Sequence, residues 1–423
     1  MADLPRRRGI GPDLSPLRDN PDYRRLFIGQ SVSRFGDMIT VVAFPYQVWQ
    51  LTRSSLAVGL VGLFEVVPLV VLALVGGAYA DAHDRKKILV WSELGLMACA
   101  GTLAALALMD RPPLWTLYLL AAVTSGLSGF HRPALDALVP RLTRPDQQPA
   151  VAALRSAVGT FAQITGPALG GVLIATIGLA GTYLVDAATF AVSLGLIVAL
   201  PAVPPENAEP PSLARIREGL AYAFGRRDLL GTYFVDMVAM FFGMPNALFP
   251  AFAERLGGSS ALGLLYSAPA AGAFVVSVTS GWSHRVVRQG RAITIAAMAW
   301  GLAIVGFGLA GSLPVALLCL ALAGAADMVS AIFRMTIWNQ TIPDQVRGRL
   351  AGIEQISYLS GPYLGNVEAG AAAALFGLGP SVVLGGVLCV VGCGAVAWAL
   401  PAFWRYVPPA AVQADGREGG RAD

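Results

Sequence analysis

The sequence predicts an all-α polytopic membrane protein with twelve transmembrane helices in two six-helix halves. Three observations carry that prediction. Apolar residues make up 55% of the 423 positions and charged residues 13%, with a mean hydropathy of +0.62. A soluble chain of this length would need more water-facing surface than that. Long apolar runs recur at about 23–50, 56–80, 88–109, 114–138, 148–174, 177–200, 229–252, 259–283, 292–310, 314–338, 349–374 and 378–403. About 20 apolar residues cross a bilayer core, and a helix satisfies its own backbone in lipid. Finally, 23 basic residues lie in the N-terminal segment, alternate gaps and the tail, against three (Arg53, Arg111 and Arg255) in the remaining gaps. Basic residues mark the cytoplasmic side, so both termini are expected in the cytoplasm of a multi-pass inner or plasma membrane protein.

In chain order, residues 1–22 form a polar, basic N-terminal segment without an apolar run, so the first span is expected to act as the insertion signal. Residues 23–200 hold the first six spans. Residues 201–228 form a linker opened by Pro201, Pro204, Pro205, Pro210 and Pro211. Within it Leu213, Ile216, Leu220 and Phe224 fall near one face of 212–224, which predicts an amphipathic helix on the membrane surface. Residues 229–403 hold the second six spans, and 404–423 form a polar tail expected to be disordered. Cys99, Cys319, Cys389 and Cys393 all fall inside spans, where they read as small apolar fillers; no metal site is expected. With basic residues beside spans, anionic lipid headgroups are the expected partner and nucleic acid is not.

The two halves carry a faint internal repeat. The gap after the second span contains Gly77, Asp81, Arg85, Lys86 and Lys87; the gap after the eighth contains Gly281, Arg285, Arg288 and Arg291. Arg132 and Pro133 precede Pro145-Asp146 in the first half, as Arg334 precedes Pro343-Asp344 in the second. Two parallel six-helix halves related by an axis along the membrane normal are a recognised transporter plan.

These residues resemble the major facilitator superfamily, and within it the bacterial drug and siderophore exporters of the branch similar to the enterobactin exporter, over roughly residues 14–408. The lead Leu17-Arg18-Asp19-Asn20-Pro21-Asp22-Tyr23-Arg24-Arg25 and the Gly36-Asp37 pair are similar to that branch. So is the loop Gly77…Asp81…Arg85-Lys86, with Ala82 and Asp84 where a basic residue and a glycine are usual. Gly166-Pro167-Ala168-Leu169-Gly170-Gly171 resembles the antiporter motif, with Ala162 in place of its upstream glycine. The resemblance implies a gating role for Gly77, Asp81, Arg85 and Lys86, and a central, direction-setting role for the fifth span. Arg132, Asp136 and Arg334 are read as gate elements beside them.

Charged residues within spans are costly and usually face a cavity or a partner. Asp37, Glu65, Asp186, Asp236, Asp327 and Glu354 are therefore candidates to carry a coupling proton. Arg34 stands i,i+3 from Asp37 and is the alternative partner for it. Glu65 has no basic residue within a helical turn. Arg34, Tyr233, Met237, Met240 and Phe241 are candidates to line the substrate cavity, with ordinary core packing as the other reading of the last four.

No nucleotide-binding loop, HExxH or CxxC motif is present, so an enzyme is not expected and no cofactor is implied. A proton gradient is the expected energy source, and small molecules, protons and membrane lipids the expected partners of a monomer. The leading expectation is proton-coupled antiport of lipophilic or cationic small molecules, that is, multidrug efflux by alternating access. A siderophore exporter is the alternative within transport, and a non-transporting receptor or sensor on the same fold the alternative outside it.

Overall fold

The computed structural model describes residues 13–202, 227–341 and 344–407, without the side chains of 73–78, 80–82, 227–228 and 344–359. The expected surface helix at 212–224 and the tail beyond 407 lie outside the described residues. Among those described, the chain is helical with short 3-10 turns and no strand.

Three helices of the first half begin where the sequence supplies a side-chain cap. A short α1 (Ser15–Asp19) leads to α2 (Pro21–Thr52), whose start is fixed by Pro21 and by Asn20. The Asn20 side chain accepts from the backbone N–H groups of Asp22 and Tyr23 at 2.9 and 3.0 Å. Ser54 caps α3 (Ser55–Ala82), and Asp84 caps α4 (Arg85–Ala107) by accepting from the Lys86 N–H. The aspartate at 84 thus does local work that a glycine could not. Next come α5 (Leu114–Leu142) and the 51-residue α6 (Gln148–Val198). That last helix breaks at Gly178, whose φ of 71° and ψ of 179° belong to glycine, and its two limbs are the fifth and sixth spans.

The second half runs α7 (Arg227–Phe242), α8 (Phe249–Leu256), α9 (Gly258–Val278), α10 (Gln289–Gly308), α11 (Leu313–Thr341), α12 (Asp344–Phe376) and α13 (Leu378–Ala399), closed by a short α14 (Pro401–Trp404). With α7 and α8 joined by the turn at Asn246–Leu248 into a seventh span, the long helices match the twelve expected spans. Among the described residues, eight stretches are long and apolar enough to cross a membrane by length and composition, and Pro145–Val198 is long enough for two crossings. Large apolar side chains such as Trp91, Leu108, Leu309 and Trp398 face outward, as a lipid-solvated bundle requires.

Two seams join the halves: α3 lies along α12, and the first limb of α6 along α9. A two-fold that exchanges the halves carries the second and eleventh spans onto the eighth and fifth, so each seam is the image of the other. Both are made by small residues. A Cβ on Gly171 would stand 2.6 Å from the Ser259 carbonyl oxygen, and one on Gly370 would stand 2.6 Å from that of Ser55. Such backbone-to-backbone approach is how helices associate where no hydrophobic force drives them together. The residues concerned sit toward the end of the bundle bearing Arg53 and Arg255. There Arg53, a non-glycine at φ 51° that closes α2, pairs with Glu254 of the other half, and Trp49 Nε1 donates to the same carboxylate at 3.1 Å.

Candidate functional site: a charged vestibule and a central cavity

Two connected cavities lie along the first half. The outer one, about 530 Å³, is a vestibule lined by α2, α4, α5 and α6, including Gln30, Arg34, Asp37, His131, Arg132, Asp136 and Arg155. A deeper one, about 380 Å³, lies between the halves. Glu65, Phe44, Val61 and Leu69 line it from the first half, and Asn246, Tyr266, Tyr363 and Asn366 from the second. Arg34, Asp37 and Arg132 border both. The helices expose these groups because small residues on their other faces allow close packing: Gly166 lies against Met38 and Gly170 against Ile39, which draws α6 onto α2.

The proton-carrying candidates divide by environment. Asp37 faces both cavities, with Arg34, His131 and Arg132 among the charges acting on it. Glu65 faces the central cavity among tyrosines and apolar walls, and among the described residues it forms no ion pair. Asp186 is buried and accepts from Thr40 Oγ1 at 2.5 Å; Gly36 lies so close that any side chain there would meet Thr189 and the Asp186 carboxylate. Asp236 and Asp327 both bind Arg334, the latter at 3.4 Å, within the second half; Arg334 and Asp236 are buried and Asp327 is partly exposed. The Glu354 side chain lies outside the described residues.

The gate candidates do not form one cluster. Gly77 and Asp81 belong to α3 by backbone, and their side chains lie outside the described residues. Arg85 reaches the Ala137 carbonyl at 3.4 Å and Lys86 the Val198 and Leu200 carbonyls. Both residues therefore brace α4 against the ends of α5 and α6 inside one half, where cations suit helix C-termini. Arg132 stands i,i+4 from Asp136, yet Asp136 binds Arg155 at 2.7 Å and Arg132 borders the cavities. Arg334 is held by the acids of its own half rather than set beside Arg132.

Of the cavity candidates, Arg34 borders both spaces, whereas Tyr233, Met237, Met240 and Phe241 line neither. Met240 is buried against Gly361, Tyr233 packs on Trp338 at 5.1 Å, and Phe241 makes an edge contact with Phe242 at 5.0 Å. The rotation of α7 about its axis, which spacing alone does not give, turns them into the second half. Tyr266, Tyr363, Asn246 and Asn366 supply that wall instead, and nothing in their local sequence distinguishes them from packing residues.

Glu93 was not singled out by the sequence. It is fully buried, and its Oε1 accepts from Gln30 Nε2 at 2.7 Å, Ser193 Oγ at 3.0 Å and His131 Nε2 at 3.2 Å. One carboxylate so ties four spans of the first half together.

Two parallel helical halves, joined by glycine-lined seams around a charged axial cavity, define a transporter of the major facilitator class. The chain belongs to that superfamily's transmembrane secretion effector family, which it matches over residues 12–404. It is 30% identical over 378 residues to the enterobactin exporter EntS of Citrobacter koseri, covering 87% of each chain. It is 29% identical to the enterobactin exporter EntS of Escherichia coli O1:K1 over the same share. Among solved structures it resembles the nucleoside transporter NupG (D323A mutant), with a TM-score of 0.75 at 13% identity, covering 89% of this chain and 99% of that one. A bacterial homologue of the lysosomal transporter Spinster gives 0.73 at 16% identity, covering 93% and 99%. The sequence-based expectations of this fold, of a transporter rather than an enzyme, and of this family are met.

Proposed function

We propose that this chain is a secondary exporter of siderophore-like molecules, oriented with both termini in the cytoplasm and driven by inward proton movement. The observation that carries the substrate class is the vestibule wall, where Arg34, Arg132 and Arg155 converge. Planar guanidinium groups suit catecholate and carboxylate oxygens, which accept paired hydrogen bonds. Kinship to proteins named as enterobactin exporters, at 29–30% identity along most of the chain, supports the same reading. A substrate would enter the vestibule, settle toward the central cavity and leave once the seams at the Arg53 end part. Asp37 and Glu65, at the cavity wall, are the acids best placed to take up protons as it leaves. One chain supplies both halves of this path, which fits action as a monomer.

A second reading, efflux of lipophilic cations, is favoured by one observation: Glu65 sits without an ion pair beside Tyr266, Tyr363 and Phe44 in the deeper cavity. Proteoliposomes with an imposed pH gradient separate the two. Movement of enterobactin but not ethidium is the expected result; ethidium alone would replace the siderophore reading with multidrug antiport. Arg132→Ala and Arg155→Ala together should lower enterobactin transport by about tenfold or more, since two charge-assisted contacts are lost.

A further inference from the structure

Glu93 and His131 form a buried acid–imidazole pair that the transport reading above does not use. The Glu93 side chain is wholly buried and that of His131 is 12% exposed. His131 and Glu93 both border the vestibule, and the ring, the more exposed of the two, lies 3.2 Å from the carboxylate. Glu93 Oε1 accepts three hydrogen bonds, while Oε2 is buried with no partner. A lasting carboxylate with one oxygen so isolated is unfavourable in a membrane interior, whereas a carboxyl that gains and loses a proton is tolerated there.

The surroundings suit exchange rather than a fixed ion pair. From α2, Gln30 donates to Glu93, and Arg34 and Asp37 face the vestibule. From α5 come His131, Arg132 and Asp136, and from α6 come Ser193, Arg155 and, farther in, Asp186. Asp136 and Arg155 bind one another. Among the described residues no arginine or lysine forms a salt bridge with Glu93. We propose that His131 and Glu93 are a proton-relay site of the first half, loading one proton from the vestibule into the protein and returning it during the transport cycle.

The step balances without a further reactant. A vestibule hydronium, or the Asp37 carboxyl, gives a proton to His131 Nδ1; the Nε2 proton passes to Glu93 Oε1. The ring is left neutral with its proton on Nδ1, and the carboxylate becomes a carboxyl. Reversal returns the proton to the vestibule. The pair loads as the substrate leaves and discharges toward the cytoplasmic side before the next substrate binds, the order that inward proton movement requires, which links proton and substrate.

The relay rests on the proton-coupled reading, so its test has two arms. In the first, purified full-length protein is titrated while infrared difference spectra record protonated carboxyls, with no substrate needed. Glu93→Gln should remove one carboxyl band and His131→Asn should move it. In the second, proteoliposomes compare gradient-driven enterobactin transport with exchange of labelled for unlabelled enterobactin at equal pH. Both variants should lower the first by about tenfold or more and leave exchange within about twofold, a split that a purely structural role would not give. Bands unchanged in both variants, or equal loss of both transport modes, would overturn the relay. If the unaltered protein moves no enterobactin, the substrate reading fails and the infrared arm alone decides the relay. Should Glu93→Gln not insert, His131→Asn carries both arms.

Discussion

The cluster of Arg334, Asp236 and Asp327 shows how one residue's role depends on what its neighbours across the bundle supply. Sequence spacing put Arg334 at a gate and left the two aspartates open as proton carriers. Helix packing brings Asp236 of α7 to Arg334, which also reaches Asp327 two turns away on its own helix. Breaking a buried pair strands a charge, so Arg334→Met should destabilise the protein by about 3–5 kcal/mol, with much of that recovered when Asp236→Asn is added. Thermal unfolding in detergent, read as a double-mutant cycle, checks it; additive losses would mean the contact contributes little. The contrast with Glu65 is instructive. Its isolation from basic residues was legible because a helix places its own i±3 and i±4 neighbours beside it, and the cross-helix environment added no ion pair. The Arg334–Asp236 and Glu93 contacts were not legible in that way, because those partners lie on other helices, 98 residues away for Asp236 and 100 for the Ser193 that donates to Glu93.

At the scale of elements, span positions followed directly from apolar runs and flanking charges, because lipid imposes a length and a sidedness on each helix. What hydropathy does not contain is the rotation of each helix about its axis. An apolar side chain is equally satisfied by lipid and by a neighbouring helix, which is why Met237, Met240 and Phe241 read as cavity lining and pack into the second half. Small residues are the better guide, since only close approach requires them. Gly171 faces Gly263 across the α6–α9 seam with a Cβ-to-Cα distance of 3.0 Å. Gly171→Val should wedge this seam and cost about 1–3 kcal/mol through overpacking. Spin-label distances between α6 and α9 at the Arg53 end should lengthen relative to the unaltered protein; unchanged distances would show that the seam absorbs the added volume.

At the scale of the whole molecule, the Arg53–Glu254 contact closes one end of the bundle across the two halves. Both side chains are at least half exposed, so the pair should contribute only about 0.2–1 kcal/mol to folding. Its effect is expected on conformational populations instead, because it holds only while that end is shut. Glu254→Arg should open that end by placing two cations together, and Arg53→Glu in the same chain should close it again. Distance distributions between labels on α2 and α8 test this; no change in either variant would make the contact incidental. Topology follows from the same frame. In a Cys319→Ser background, single cysteines introduced at Arg111 and at Pro205 should react from opposite sides with an impermeant reagent, since Cys99, Cys389 and Cys393 are buried. Labelling of Pro205 from outside the cell would invert the orientation.

Arg53 and Glu254 stand 201 residues apart, nearly the spacing of the internal repeat, and each ends the first span of its half. They therefore meet at near-equivalent positions close to the pseudo-two-fold, and equivalent positions in a true symmetric pair are identical. Two copies of the first half would bring arginine against arginine at that point; two copies of the second would bring glutamate against glutamate. Attraction there exists only because the halves have diverged in sign. The closed end of this molecule is thus something that neither half, duplicated, could make for itself.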